Sequence, residues 1–150
     1  MRVSFLTAFF IFFLFVNLSK THAAGFCFNR AAEQYGLPVQ LLYAIAKVES
    51  DFNPQAIDYD SNGSYDYGVM QINTVWYPAI RNYWNYLADP CYNVTFGAWI
   101  LKGCYFKYGS IRKAVACYHM GEGNINAKAI KARGYIEKVA YYYQKYSGGR

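Results

Sequence analysis

Residues Glu49 to Asn73 read ESDFNPQAIDYDSNGSYDYGVMQIN, and the rest of the chain takes its meaning from this stretch. A glutamate, Glu49, stands at the end of an apolar helical run. Asp66 lies just past Asn62-Gly63, a hairpin turn signal. Two carboxylates held on separate rigid elements and facing one groove are what glycosidic-bond cleavage requires. One protonates the leaving oxygen, while the other stabilises or captures the positive charge left on the sugar.

Upstream of Glu49 the sequence reads as helix. Asn29 to Tyr35 forms a first helix stopped by Gly36, and Pro38 opens a second at a favoured early position. Val39, Leu42, Ile45, Ala46 and Val48 recur there at helical spacing and should face the core. Asn53-Pro54 should end that helix. Ile57 to Gly68 is the one strand-like region. Downstream, Asp89-Pro90 starts a helix running to about Tyr108, and Ser110 caps a shorter one reaching Tyr118. An amphipathic helix from about Tyr135 to Tyr146 closes the pattern. No internal repeat, low-complexity linker or second domain is visible.

The first residues read differently. Arg2 precedes an apolar run from Phe5 to Val16, and Thr21-His22-Ala23-Ala24 offers small residues for cleavage. Residues 1–24 are therefore expected to be a signal peptide and 25–150 the domain. The run is too short to span a bilayer comfortably, which takes ~20 apolar residues. Phe26, not a small residue, precedes Cys27, which argues against a lipoprotein anchor. No stable membrane anchor should persist after cleavage, and the product belongs in the periplasm or outside the cell. The remaining stretch of about 126 residues suffices for a single core.

The formal charge is +6, falling to about +4 once Arg2 and Lys20 are set aside, which suits an anionic polymer such as a cell wall. No Lys/Arg run tracks a phosphate backbone, so nucleic acid is excluded as a partner. Cys27, Cys91, Cys104 and Cys117 form an even set in an exported chain, arguing for two disulfides with three possible pairings. None of the C-x-x-C or His spacings of a zinc site occurs, so no metal site is read.

Four motifs carry a resemblance. Glu49-Ser50, the box Gly68 to Asn73, Ala116-Cys117-Tyr118-His119-Met120-Gly121, and Tyr135 in YIEKV together resemble the soluble lytic transglycosylase family of the lysozyme-like superfamily. The likeness covers about Cys27 to Tyr146 and is closest to small exported members that accompany secretion and conjugation machines. It implies a mainly α, lysozyme-like helical domain with a small β-hairpin-like segment beside the cleft. It also implies cleavage of peptidoglycan glycan strands by a monomer without cofactor, with components of an envelope-spanning machine as candidate partners. Cys27–Cys91 is the pairing it implies, leaving Cys104 with Cys117.

Within this frame Glu49 is the expected general acid. The helix C-terminus disfavours its negative charge, apolar neighbours desolvate it, and both effects raise its pKa. Asp66 is the expected partner of the sugar cation. Its spacing resembles animal lysozymes of the chicken type, and many soluble transglycosylases lack a carboxylate there. Ser50, Met70, Gln71, Asn73, Tyr118 and Tyr135 resemble substrate-binding residues of the family. His119-Met120 replaces the usual Asn-Ala, so His119 is cleft lining, and Trp76 stands where a sugar-stacking aromatic would help. Two further readings stay open. One is a lysozyme-type muramidase that uses water, and the other is an inactive wall-binding adaptor.

Overall fold

The computed structural model describes residues 26–148; the expected signal peptide lies outside them. The architecture is mainly α, with seven α-helices and one small antiparallel sheet among the described residues.

Helix α1 (Phe28–Tyr35) ends at Gly36, whose N–H reaches back to Ala32 and Glu33. Pro38 is the residue before α2 (Val39–Ser50). Leu42, Ile45 and Ala46 are buried as their spacing requires, while Val39 and Val48 are only partly covered. Leu41 and Ala44 are buried as well, so α2 is surrounded on more than one side. It stops before Asn53-Pro54. Asp51 and Phe52 both turn left-handed, at φ 53° and 62°, and donate their N–H groups to Lys47 and Ala46. That conformation costs a non-glycine residue roughly 1–2 kcal/mol. It is offset by those hydrogen bonds, by the Lys47–Asp51 ion pair, and by Phe52 packing on Phe26, Phe28 and Tyr43.

Strands β1 (Ile57–Tyr59), β2 (Tyr65–Tyr67) and β3 (Ile72–Asn73) pair antiparallel in that order. Asn62-Gly63 makes the turn between the first two. The two-residue β3 has too short a run to show any period. The register sets Asp66 opposite Asp58 on one side and Asn73 on the other. Like charges directly opposite destabilise a sheet, so the Asp58–Asp66 pair is a local cost to the ladder.

Short 3₁₀ and α turns follow, including α3 (Tyr77–Ile80) and a 3₁₀ segment over Arg81–Ala88. Asp89 then caps α4 (Pro90–Tyr108) by accepting the Tyr92 N–H at 2.8 Å. Ser110 precedes α5 (Ile111–Met120) but makes no side-chain cap. Helix α6 (Ile125–Lys131), capped by Asn124, is short and was not legible in the sequence. Helix α7 (Arg133–Tyr146) packs along α2, and α5 packs along α4.

Cys27 is bonded to Cys91, tying the start of α1 to that of α4, and Cys104 to Cys117, tying α4 to α5. Where α4 meets the sheet, the contact tolerates no side chain at Gly97. A Cβ there would stand 2.8 Å from Met70 Cβ and 2.9 Å from its Cγ. Gly97→Ala should therefore lower the urea midpoint by the equivalent of about 1–3 kcal/mol, the usual cost of overpacking. An unchanged midpoint would mean that Met70 yields without strain.

Candidate active site

Glu49 is in the last turn of α2, its side chain half-buried. Burial is the main reason that its pKa rises, to about 7. A hydrogen bond from Tyr135 pulls the pKa down, and the charge of Asp66 pushes it up. Tyr135, in the first turn of α7, donates its hydroxyl to Glu49 Oε1 at 2.5 Å. Burial, then the Glu49 charge, holds that phenol protonated well above its ordinary range, so it remains a donor. The acid and its donor are brought together by the α2–α7 contact.

Asp66 is on β2, half-buried. Its own pKa is raised by burial first and by Asp60 and Asp58, against a hydrogen bond from Asn73. Asn73 is bonded further on both ends of its amide. Its Nδ2 donates to Asp60 at 3.0 Å, and its Oδ1 accepts the Val75 N–H at 2.8 Å. Asp66 therefore has neighbouring negative charges that hinder its ionisation and an Asn73 amide that favours it.

The remaining expected binding residues are largely engaged within the protein. Ser50 donates its hydroxyl to the Val69 carbonyl at 2.8 Å, fastening α2 to the turn between β2 and β3. Gln71, left-handed at φ 47°, donates Nε2 to the carbonyls of Gly68 at 2.8 Å and Ala56 at 3.2 Å. Its amide oxygen is left as the group that can face a ligand. Met70 does not line the groove: its side chain is 0 % exposed, packed under α4. A thioether belongs in that apolar contact, and Met70 serves the site through its backbone. Tyr118 donates to the Met70 carbonyl at 2.6 Å, and burial raises its pKa well above the ordinary value. His119 lays its ring flat on Tyr135, centroids 4.1 Å apart and planes 6° from parallel. The covered face lowers the imidazole pKa. Trp76 packs edge-on against Phe96 and Trp99, outside this cluster.

Two residues escaped the sequence reading. Asn93 is a polar side chain on the buried face of α4, 1 % exposed. Its Oδ1 accepts the Met70 N–H at 2.8 Å, and its Nδ2 donates to the carbonyls of Tyr67 at 3.0 Å and Leu87 at 3.2 Å. A Cβ on Gly68 would stand 2.3 Å from that Nδ2. Only an asparagine at an otherwise apolar helical position hinted at this. Lys128, on α6, donates to the carbonyls of Met120, Gly121 and Glu122 and so closes the end of α5. No local pattern announces that contact, which spans two elements. Two surface grooves, one over Lys47, Glu137 and Tyr142 and one over Phe26, Arg30 and Tyr146, include neither carboxylate in their linings. Among the described residues no cluster of His, Cys, Asp and Glu is arranged to hold a metal ion.

The family model described as transglycosylase SLT domain matches residues 26–140. Protein IpgF of Shigella flexneri is 38 % identical over 100 residues, covering 63 % of this chain and 65 % of IpgF. Invasion protein IagB of Salmonella typhimurium (strain SL1344) is 33 % identical over 135 residues, covering 87 % of this chain and 83 % of IagB. Among solved structures, the lytic transglycosylase Slt of Pseudomonas aeruginosa, determined as an inactive mutant, superposes with a TM-score of 0.66 at 21 % identity. That match covers 86 % of this chain and 25 % of the Slt chain, and it shows the lysozyme-like fold. With the matched family model spanning nearly all the described residues, the chain belongs to the transglycosylase SLT domain family.

Proposed function

We propose that this protein is a peptidoglycan lytic transglycosylase that cleaves the β-1,4 bond between N-acetylmuramic acid and N-acetylglucosamine. The observation that carries the proposal is Glu49, a half-buried carboxyl with a pKa near 7, held by Tyr135. Near neutral pH it keeps a proton to give and can take one back. Glu49 protonates the bridging oxygen as the bond to C1 breaks, and C1 develops positive charge. The muramic acid's own 6-hydroxyl then attacks C1 and returns its proton to Glu49. The products are a 1,6-anhydro sugar and a free hydroxyl end, with no water consumed. Intramolecular attack is favoured because nucleophile and electrophile are already held together.

In this course Asp66 stabilises the cation from across the groove. The Gln71 oxygen and the Asn73 amide supply polar contacts for the acetamido and hydroxyl groups, and Tyr118 keeps the Met70 carbonyl in place. The presence of Asp66 also supports a second reading, hydrolysis by a lysozyme-type muramidase with Asp66 as nucleophile or stabiliser. Retained Glu49, Gln71 and Asn73 argue against an inactive adaptor. We further propose export through residues 1–24, action as a monomer in the periplasm or outside the cell, and local opening of the wall for a secretion or conjugation apparatus. The likeness to an invasion protein supports that setting, as does the presence of two disulfides. Among the described residues no helix is long and apolar enough to cross a membrane.

Glu49→Gln keeps the carboxyl's shape without its acidic proton, so wall cleavage should fall at least about a hundredfold with the melting temperature nearly unchanged. Near-normal release of soluble glycan would remove the central assignment.

The pH profile provides a signed check. Glu49 must be protonated to act, so kcat/KM should decline as pH rises through about 7. Tyr135→Phe removes a bond that favours the ionised form, and the alkaline limb should move up. Asp66→Asn removes a repelling charge, and the limb should move down. A limb that ignores both substitutions belongs to another group.

The two enzymatic courses differ in their products. Transglycosylation by Asp66→Asn should slow roughly ten- to a thousandfold, the scale of lost electrostatic stabilisation, and still release 1,6-anhydro sugar. Reducing-end muramic acid from the unmodified enzyme, heavier by one water, would instead establish hydrolysis.

A further inference from the structure

We propose that a row of aromatic rings leading away from the groove across α4 is a second glycan-binding surface, which holds the strand outside the site of cleavage. The inference rests on the glycan-cleaving function proposed above.

The row begins at Trp76, three residues beyond Asn73, and is continuous. Trp76 packs edge-on against Phe96 at 5.9 Å and Trp99 at 5.5 Å. Phe96 stacks with Trp99 at 5.2 Å and with Tyr92 at 6.4 Å, the latter pair 5° from parallel. Tyr86 and Tyr83, on the preceding 3₁₀ segment, extend it at 5.8 Å and 6.2 Å. Tyr92, Phe96 and Trp99 share one helix face because they recur at i, i+4 and i+7. The opposite face of α4, with Asn93, Val94, Gly97, Ala98 and Leu101, is buried against the core. Trp76, Tyr92 and Phe96 are partly buried against the core, while Trp99 is 45 % exposed and, on the 3₁₀ segment, Tyr83 is 57 % and Tyr86 58 % exposed. A contiguous apolar surface of this kind marks a binding site more often than chance.

The chemistry of the row selects a sugar. Between Trp76 and Trp99 the only charged residues are Arg81 and Asp89, one of each sign, and the Asp89 carboxylate also caps α4. In a chain of net charge +6 this strip is neutral, which removes charge steering as its means of capture. Among its aliphatic residues Leu87 and Val94 are buried and Ile80 partly buried, with Val75 exposed beside Trp76, so the surface it presents is mostly aromatic. It presents flat apolar faces edged by phenol and indole groups. A pyranose is complementary to that surface. Its C–H face stacks on a ring, and its equatorial hydroxyls reach the polar edges and water. Continuity with Asn73 through Trp76 puts the row where a polymer longer than the groove would continue.

The test uses the exported, oxidised protein carrying Trp99→Ala or, separately, Tyr86→Ala. Both side chains are largely exposed, and melting curves check that each variant folds. Binding to long uncrosslinked peptidoglycan strands is measured in the Glu49→Gln background. Cleavage of a tetrasaccharide fragment is measured with Glu49 intact. Affinity for long strands should fall about three- to tenfold for each variant, the range of one aromatic contact. Fragment turnover should not change. Unchanged affinity for long strands would overturn the proposal. An equal loss on the fragment would also overturn it, by making the row part of the groove. Normal glycan binding with loss of binding to another envelope protein would overturn it in favour of a protein interface. If the unmodified protein binds strands through these rings yet releases no product, the enzymatic reading fails and the surface stands. Cleavage that ignores the rings reverses that outcome.

Discussion

The site depends on how the turn Gly68-Val69-Met70 is held. Its backbone is grasped from three helices at once. Asn93 on α4 takes the Met70 N–H, Tyr118 on α5 donates to the Met70 carbonyl, and Ser50 on α2 donates to the Val69 carbonyl. Backbone groups buried without partners cost about 1–3 kcal/mol each, so these side chains satisfy groups that the short sheet cannot pair. The same bonds fix the distance between α2, which carries Glu49, and β2, which carries Asp66. Glycine at positions 68 and 97 lets the turn come that close to α4.

Around that turn, electrostatic cost is concentrated at the two carboxylates of the proposed site. Burial and the Asp66 charge disfavour an ionised Glu49, and one phenol opposes them; the C-terminal end of α2 adds its dipole to the first two. Asp66 faces Asp58 across the ladder and has Asp60 nearby. None of this stabilises the fold. Stability comes from elsewhere: the α2–α7 and α4–α5 interfaces, the aromatic cluster over Phe28, and the two disulfides. The division suits a disulfide-bonded domain whose single core must also carry strained turns at Asp51, Phe52 and Gln71.

Much of this was legible along the chain. The spacing of Leu42, Ile45 and Ala46, the Asp89-Pro90 start of α4, and the Asn62-Gly63 turn each rest on interactions within a few residues, and each appears in the fold. The motifs around Glu49 and Gly68–Asn73 pointed to the family for the same reason, since a compact sequence box encodes a compact piece of backbone. Misreadings arose where local and tertiary forces compete. Asn53-Pro54 is a sound stop signal, but packing of Phe52 ends α2 sooner. Met70 sits in a motif of groove residues, yet its apolar side chain is drawn under α4 while its backbone serves the site.

The amino-acid sequence by itself determined the helical class, the glutamate at the end of α2, the aspartate after the hairpin turn and the family. These follow from periodicity, turn chemistry and motif, all of them short-range. Only the tertiary structure decided that Asn93 and Lys128 are fasteners, that Ser50 and Gln71 spend their donors on backbone carbonyls, and that Tyr135 reaches Glu49. Each of these is a hydrogen bond closed between distant elements. Its geometry comes into being only when burial of the helices has brought them together.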